Sequence, residues 1–248
     1  MNTFNQLQWP PLTRGMKILM GVYFAFFVVH PLFSGSLGIR AFIISNFYLS
    51  NQGLIGDLKL WQPLTYQLLH SDFFHFAFNM FALYLFGAEV ERQIGFKAFL
   101  KFMAGAGLGA ATIGVLWQLL VPLVMGGPLL STTPIVGASG AISGVIAAYS
   151  LFNWNKSLAL FGVVSFKGKW FIPLVIGMDM LRLWSGDNVA VSHHLGGLLT
   201  GALIVMTVYQ PLQVFNRIKL WRLKRKLRAL DGGGPRLRDP DDKGPTLH

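Results

Sequence analysis

Four polar side chains stand where an apolar chain has little use for them. Ser139 lies in "PIVGASGAISGVIAAY" (134–149), His194 in "VSHHLGGLLTGALIV" (191–205), and His75 with Asn79 in "HSDFFHFAFNMFALYLFG" (70–87). A serine hydroxyl is a weak nucleophile until a base takes its proton, and a neutral imidazole is the commonest base near neutral pH. Ser139 and His194 are therefore candidates for a nucleophile–base dyad performing acyl transfer. Acyl transfer also needs donors aimed at the developing oxyanion, each worth ~2.7–4 kcal/mol. The Asn79 amide, an N–H of the His75 ring and the backbone N–H of Ser139 could supply them, and a serine at a helix start also faces the positive end of the helix dipole. The nearest acids by topology are Asp179 and Asp187; neither has a motif linking it to His194, and the dyad does not call on a third member.

These groups need elements to hold them. The chain has 248 residues, 53% of them hydrophobic and 12% charged, with a mean hydropathy of +0.50, too apolar for one soluble core. It reads as an all-α integral membrane protein. At roughly 20 apolar residues per span, six candidate spans emerge: about 17–34, 73–88, 98–122, 137–152, 170–185 and 193–211. The first lacks a small-residue cleavage site and is taken as a retained helix. His75 and Asn79, four residues apart, are separated by only about 40° around a helix and share one face of the second span. The fourth span carries a small-residue stripe, Gly140, Gly144 and Ala148; the sixth places His194, Gly197 and Gly201 at i, i+3 and i+7. Two such faces are expected to dock closely, which would bring Ser139 to His194. Gly137 would permit the turn into the helix, and Gly140 would leave room for substrate and for the sixth span.

The net charge of +11 does not point to nucleic acid, because the 21 basic residues sort by membrane side, ten of them after Pro211. By the positive-inside rule both termini are expected in the cytoplasm, with the four polar groups near the outer face. The tail "FNRIKLWRLKRKLRAL" (215–230) reads either as an interfacial helix on anionic membrane lipids or as a basic tail that sets topology. There is no cysteine, so thiolate metal sites and disulfides are excluded. Consecutive helical residues diverge by about 100°, so His193 and His194 do not make a zinc site with His75, and His193 is expected in the cap at the helix end. Glu91 and Arg92 are assigned to an ion pair or a capping role.

With these motifs in place, the chain resembles the rhomboid family of intramembrane serine proteases over about residues 17–210, including "WQPLTYQLLHSDFFHFAFN" (61–79) and "GAEVERQIG" (87–95). The resemblance implies a six-transmembrane-helix bundle over 17–211, between a cytoplasmic segment (1–16) and a basic cytoplasmic tail (212–248). It implies Ser139 as nucleophile, His194 as general base, and His75 and Asn79 as the oxyanion-stabilising pair. Residues 35–70 would form a partly submerged lateral structure, and the fifth span with "SGDNVAVS" the gate and cap. Substrates would be transmembrane segments of other proteins, cut beside a small residue, in a cell membrane such as the bacterial inner membrane, with no cofactor or metal. Two positions depart from the family. Gln62 follows Trp61 where Arg is frequent, and Ser143 stands where one bacterial type has an aromatic residue against the histidine, so other neighbours must orient His194. The rival readings are a non-catalytic relative that binds transmembrane clients and, ranked lower, a transporter lined by the same polar groups.

Overall fold

The structure, a computed structural model, describes residues 11–33, 35–127, 129–160, 164–184, 188–210 and 223. The compact unit carrying the four polar groups ends at Val205, and Met206–His248 form a second unit. The basic stretch 215–230 falls, apart from Leu223, outside the described residues, as does Asp187.

Nine α-helices are described: α1 (Arg14–Phe33), α2 (Leu37–Phe47), α3 (Gln62–Thr65), α4 (Phe73–Ala82), α5 (Ala88–Ile94), α6 (Phe96–Met125), α7 (Ser139–Phe152), α8 (Phe171–Trp184) and α9 (Asn188–Ile204). A π-helical turn, Leu83–Gly87, joins α4 to α5. A helix lies at each of the six expected spans. Four stretches are long and apolar enough to cross a bilayer: Arg14–Leu32, Phe73–Ile94, Phe96–Met125 and Ala190–Tyr209. The helices at the fourth and fifth positions have 14 residues each, about 21 Å at 1.5 Å per residue, which is short of the ~30 Å hydrocarbon layer. Large apolar side chains such as Phe24, Phe74, Phe78, Val124 and Leu181 point outward, as suits a protein solvated by lipid. It is a membrane protein.

The expectation of an all-α fold is corrected in one place. Ser157–Leu160 and Val164–Lys167 pair as an antiparallel β-hairpin between α7 and α8. Its register sets Leu158 opposite Phe166 and Ser157 opposite Lys167, an apolar/polar alternation in segments of four residues that a search for long apolar runs passes over.

Local chemistry accounts for the helix ends. The Asp72 carboxylate accepts the His75 N–H at 2.9 Å and caps α4. That backbone bond, with the Ser71 hydroxyl, holds the Asp72 carboxyl below its usual range. Glu91 is 5% exposed and accepts the N–H groups of Gly15 at 2.9 Å and Met16 at 3.1 Å as well as the Thr13 hydroxyl. It therefore caps α1, satisfying donors that a helix start leaves open, while Arg92 pairs with Glu89 at 2.9 Å. Both roles considered for this pair are present, with a different acid in the ion pair. Gln62, at the position where the family frequently has arginine, is fully buried. It accepts the Ser50 N–H at 3.3 Å and donates to the Ser45 carbonyl at 2.9 Å, tying α3 to the end of α2.

The centre of the unit is α7, buried along nearly its whole length and packed between α6 and α9. A Cβ added to Gly197 would run into the Gly140 carbonyl oxygen, and one added to Gly201 into the Gly144 backbone. The docking of two small-residue faces is thus present, with backbone touching backbone. Gly197→Val should lower the unfolding midpoint in detergent, by about 1–3 kcal/mol of overpacking. Glu91→Ala should cost a similar ~1–3 kcal/mol by leaving buried donors unpaired, and a midpoint equal to wild type for either variant would contradict the packing described.

Candidate active site

Ser139 is positioned by what precedes it. Leu49 and Ile135 form an isolated antiparallel bridge, with N–H to carbonyl distances of 3.0 and 2.8 Å, and the Gly137 N–H donates to the Tyr66 carbonyl at 2.9 Å. The segment after α2 thereby holds the strand-like approach to α7. At Gly137 the backbone takes φ +118°, a conformation that side chains disfavour. A methyl there would also sit 2.6 Å from Cε1 and Nε2 of His75 and 3.8 Å from Nδ2 of Asn79. The turn is therefore empty of side chain where the His75 and Asn79 face meets it, and α7 begins two residues later, at Ser139 itself.

His194 arrives from α9, 8% exposed. Its Nε2 lies 2.9 Å from Ser139 Oγ, which is hydrogen-bonding distance for a base and the hydroxyl it would deprotonate. Its Nδ1 lies 2.7 Å from Oδ1 of Asp179 on α8. No sequence motif links Asp179 to His194, and the structure brings them together. The available signal was an acid in the middle of "FIPLVIGMDMLRLW", since a charge at a helix centre costs ~2.5–3.5 kcal/mol on insertion scales. Ser143 is buried one turn below Ser139, and a carboxylate rather than an aromatic face is what meets the histidine.

On α4, the Asn79 amide donates to the His75 carbonyl at 3.0 Å, and His75 Nδ1 lies 2.9 Å from the Ser71 hydroxyl, itself 2.7 Å from Asp72. Because the Ser71 hydroxyl donates its one proton to Asp72, Nδ1 of a neutral His75 donates to Ser71, and Nε2 can offer an N–H only when the imidazole is charged. Behind His75 stands His70, edge-on at 5.2 Å between centroids. Burial, with the neighbouring His75 adding to it and Asp72 opposing, pushes the His70 imidazole down to about 3. Neither of its ring nitrogens has a hydrogen-bond partner among the described residues, so it is a neutral spacer against His75.

All the expected site residues therefore converge: Ser139 and His194 in contact, His75 and Asn79 beside the Gly137 turn, and Gly140, Gly144, Gly197 and Gly201 at the α7–α9 contact. His193 differs from its expected place in a cap. It is 2% exposed, its ring set against Gly114 of α6 and edge-on to Tyr66, because the adjacent position on α9 faces α6 when His194 faces α7. Among the described residues no cluster of three His, Asp or Glu could hold a metal ion.

The Rhomboid domain family model matches residues 57–211, more than half of the chain. The chain belongs to the rhomboid family. It is 32% identical over 164 residues to Rhomboid protease AarA of Providencia stuartii, covering 61% of this chain and 56% of that one. It is 26% identical over 221 residues to RHOMBOID-like protein 12, mitochondrial, of Arabidopsis thaliana, covering 81% and 62%. It is 31% identical over 154 residues to Putative rhomboid protease YdcA of Bacillus subtilis, covering 60% and 68%. The chain spans about three fifths of the length of the first two of these rhomboid relatives. The matched region contains all four polar groups and Asp179, but not α1 or α2.

The unfolded chain takes a proton on His70 near pH 6.5, whereas the folded chain resists it down to about 3. Folded-state stability from this residue is therefore intact above 6.5 and is lost as pH falls through that window. Unfolding midpoints measured in detergent between pH 7.5 and 4.5 should fall less steeply for His70→Phe than for wild type; equal slopes would contradict a buried neutral His70.

Proposed function

We propose that this protein is an intramembrane serine endopeptidase that cleaves transmembrane segments of other membrane proteins. The observation that carries the reading is the 2.9 Å contact between His194 Nε2 and Ser139 Oγ, at a helix start that faces His75 and Asn79 across Gly137. Membership of the rhomboid family and the likeness to chains named as rhomboid proteases support it.

In the proposed reaction the Ser139 hydroxyl gives its proton to His194 Nε2 as Oγ bonds to the scissile carbonyl carbon. The carbonyl π electrons move onto oxygen. The Asn79 amide, the Ser139 backbone N–H and, in its charged form, the His75 ring stabilise the charge that forms there. As the tetrahedral species collapses, the C–N bond breaks and the imidazolium passes its proton to the leaving amine, leaving an acyl-enzyme on Ser139. Water, deprotonated by His194, then attacks the ester and restores the hydroxyl. The confined space at Gly137 and Gly140 favours a small substrate residue before the scissile bond.

The membrane setting completes the proposal: six helices over 17–211 in a cell membrane, the segment 1–16 and the basic tail 212–248 on the cytoplasmic side, and the site near the outer face. The two 14-residue helices are consistent with that arrangement if α7 begins below the surface, at the end of a cavity that admits water. A fluorophosphonate probe should label wild type in detergent, while Ser139→Ala should show no labelling and His194→Ala a fall of at least 10²-fold. Equal labelling of wild type and Ser139→Ala would overturn the assignment. Asn79→Ala should lower kcat on a transmembrane substrate by about 10²–10³-fold with little change in KM; an unchanged kcat would remove it from the oxyanion site.

A further inference from the structure

A two-membered Ser–His site leaves the second nitrogen of the imidazole unassigned. In this protein it is not free. Asp179 Oδ1 lies 2.7 Å from His194 Nδ1, and Asp179 is 2% exposed. A carboxylate among apolar neighbours on a lipid-facing helix is expensive unless a strong partner compensates it. It pairs with His194, and its second oxygen, Oδ2, has no hydrogen-bond partner among the described residues. The acid is thus committed to the histidine through one oxygen.

We propose that Asp179 is a positioning residue for the reaction, making the site a three-membered Asp179–His194–Ser139 relay. A carboxylate can only accept, so its contact at 2.7 Å requires a proton on Nδ1. The neutral tautomer is then fixed with its lone pair on Nε2, aimed at Ser139 Oγ 2.9 Å away. When the imidazole takes the serine proton it becomes a cation beside an anion already in place, and no solvent has to reorganise to stabilise it. Asp179 acts through His194 and does not touch substrate. Its role follows from Ser143, which offers no ring surface to hold the imidazole, so a hydrogen bond from α8 supplies the orientation.

Other charged or titratable groups lie around this relay. His75 on α4 is within electrostatic reach of His194, and Arg182, one turn along α8, and Asp72 also act on His75. His193 is adjacent on α9 but turned to α6. Among the described charged groups, Asp179 is in direct contact with the His194 ring.

This inference rests on Ser139 and His194 being nucleophile and base, and the test separates the two. Wild-type full-length protein and Asp179→Asn, both in detergent with unfolding midpoints checked, are compared in kcat and KM on a transmembrane substrate from pH 5 to 9. In parallel the 15N-histidine-labelled proteins are compared by NMR. The expected result is a fall in kcat of roughly 10²–10⁴-fold with KM nearly unchanged, and an acidic limb of the rate profile moved to lower pH, because the imidazolium has lost its adjacent anion. A downfield Nδ1 proton signal should be present in wild type and missing from both Asp179→Asn and His194→Ala. A purely structural Asp179 would lower the midpoint without moving the acidic limb. An Asp179→Asn protein with wild-type kcat and an unmoved limb, or a wild type lacking the downfield proton, would overturn the relay. A wild type that neither cleaves nor labels at Ser139 would overturn the protease reading instead, and the proton signal, which needs no turnover, would still decide whether Asp179 holds His194.

Discussion

The distance between two helix backbones governs the arrangement of this site. Between lipid-solvated helices there is little hydrophobic drive to associate, so close van der Waals contact must do the work. Here the Gly140 carbonyl meets Gly197, and the Gly144 backbone meets Gly201. Ser139 is the residue before the first of these contacts on α7, and His194 stands one turn before it on α9. The separation of hydroxyl and imidazole is consequently set by main chain, with short side chains and little rotamer freedom between them. Any side chain placed at the contact would widen that separation before it changed the chemistry.

Three further buried polar side chains are each held by a different partner. Glu91 is met by backbone N–H groups at the start of α1, Gln62 by a backbone N–H and a carbonyl at the end of α2, and Asp179 by an imidazole. In a poorly polar interior an unpaired polar group is costly, so each of these side chains fixes the element that supplies its partner. Two of them secure helices at the edge of the unit. The third reaches the candidate site, and it does so from α8, a helix that the glycine contact does not itself hold.

Much of this arrangement was legible in the chain. The face shared by His75 and Asn79, the glycine stripes and the serine at a helix start follow from helical periodicity and residue size, and all of them meet in the structure. Asp179 was visible as a buried-span acid but was not joined to His194, because no fixed spacing links residues on two helices whose relative rotation depends on packing. His193 was misplaced for a similar reason: which of two adjacent histidines faces the bundle depends on the rotation of α9. The expected spans at 137–152 and 170–185 agree with α7 and α8 to within two residues. The hairpin at 157–167 is too short for hydropathy to separate from a connecting loop.

The glycine contact has a further consequence for the order in which the protein is made. Ser139 and His194 are 55 residues apart in the chain, and α9 is the last of the packed helices among the described residues. At ~5–20 residues per second, synthesis leaves an interval of roughly 3–11 s in which α7 exists without its facing glycines. During that interval Ser139 lacks the imidazole of His194. On the proposed function, a chain interrupted before α9 would carry a serine without its base into the bilayer, and reactivity would be conferred only once α9 has packed.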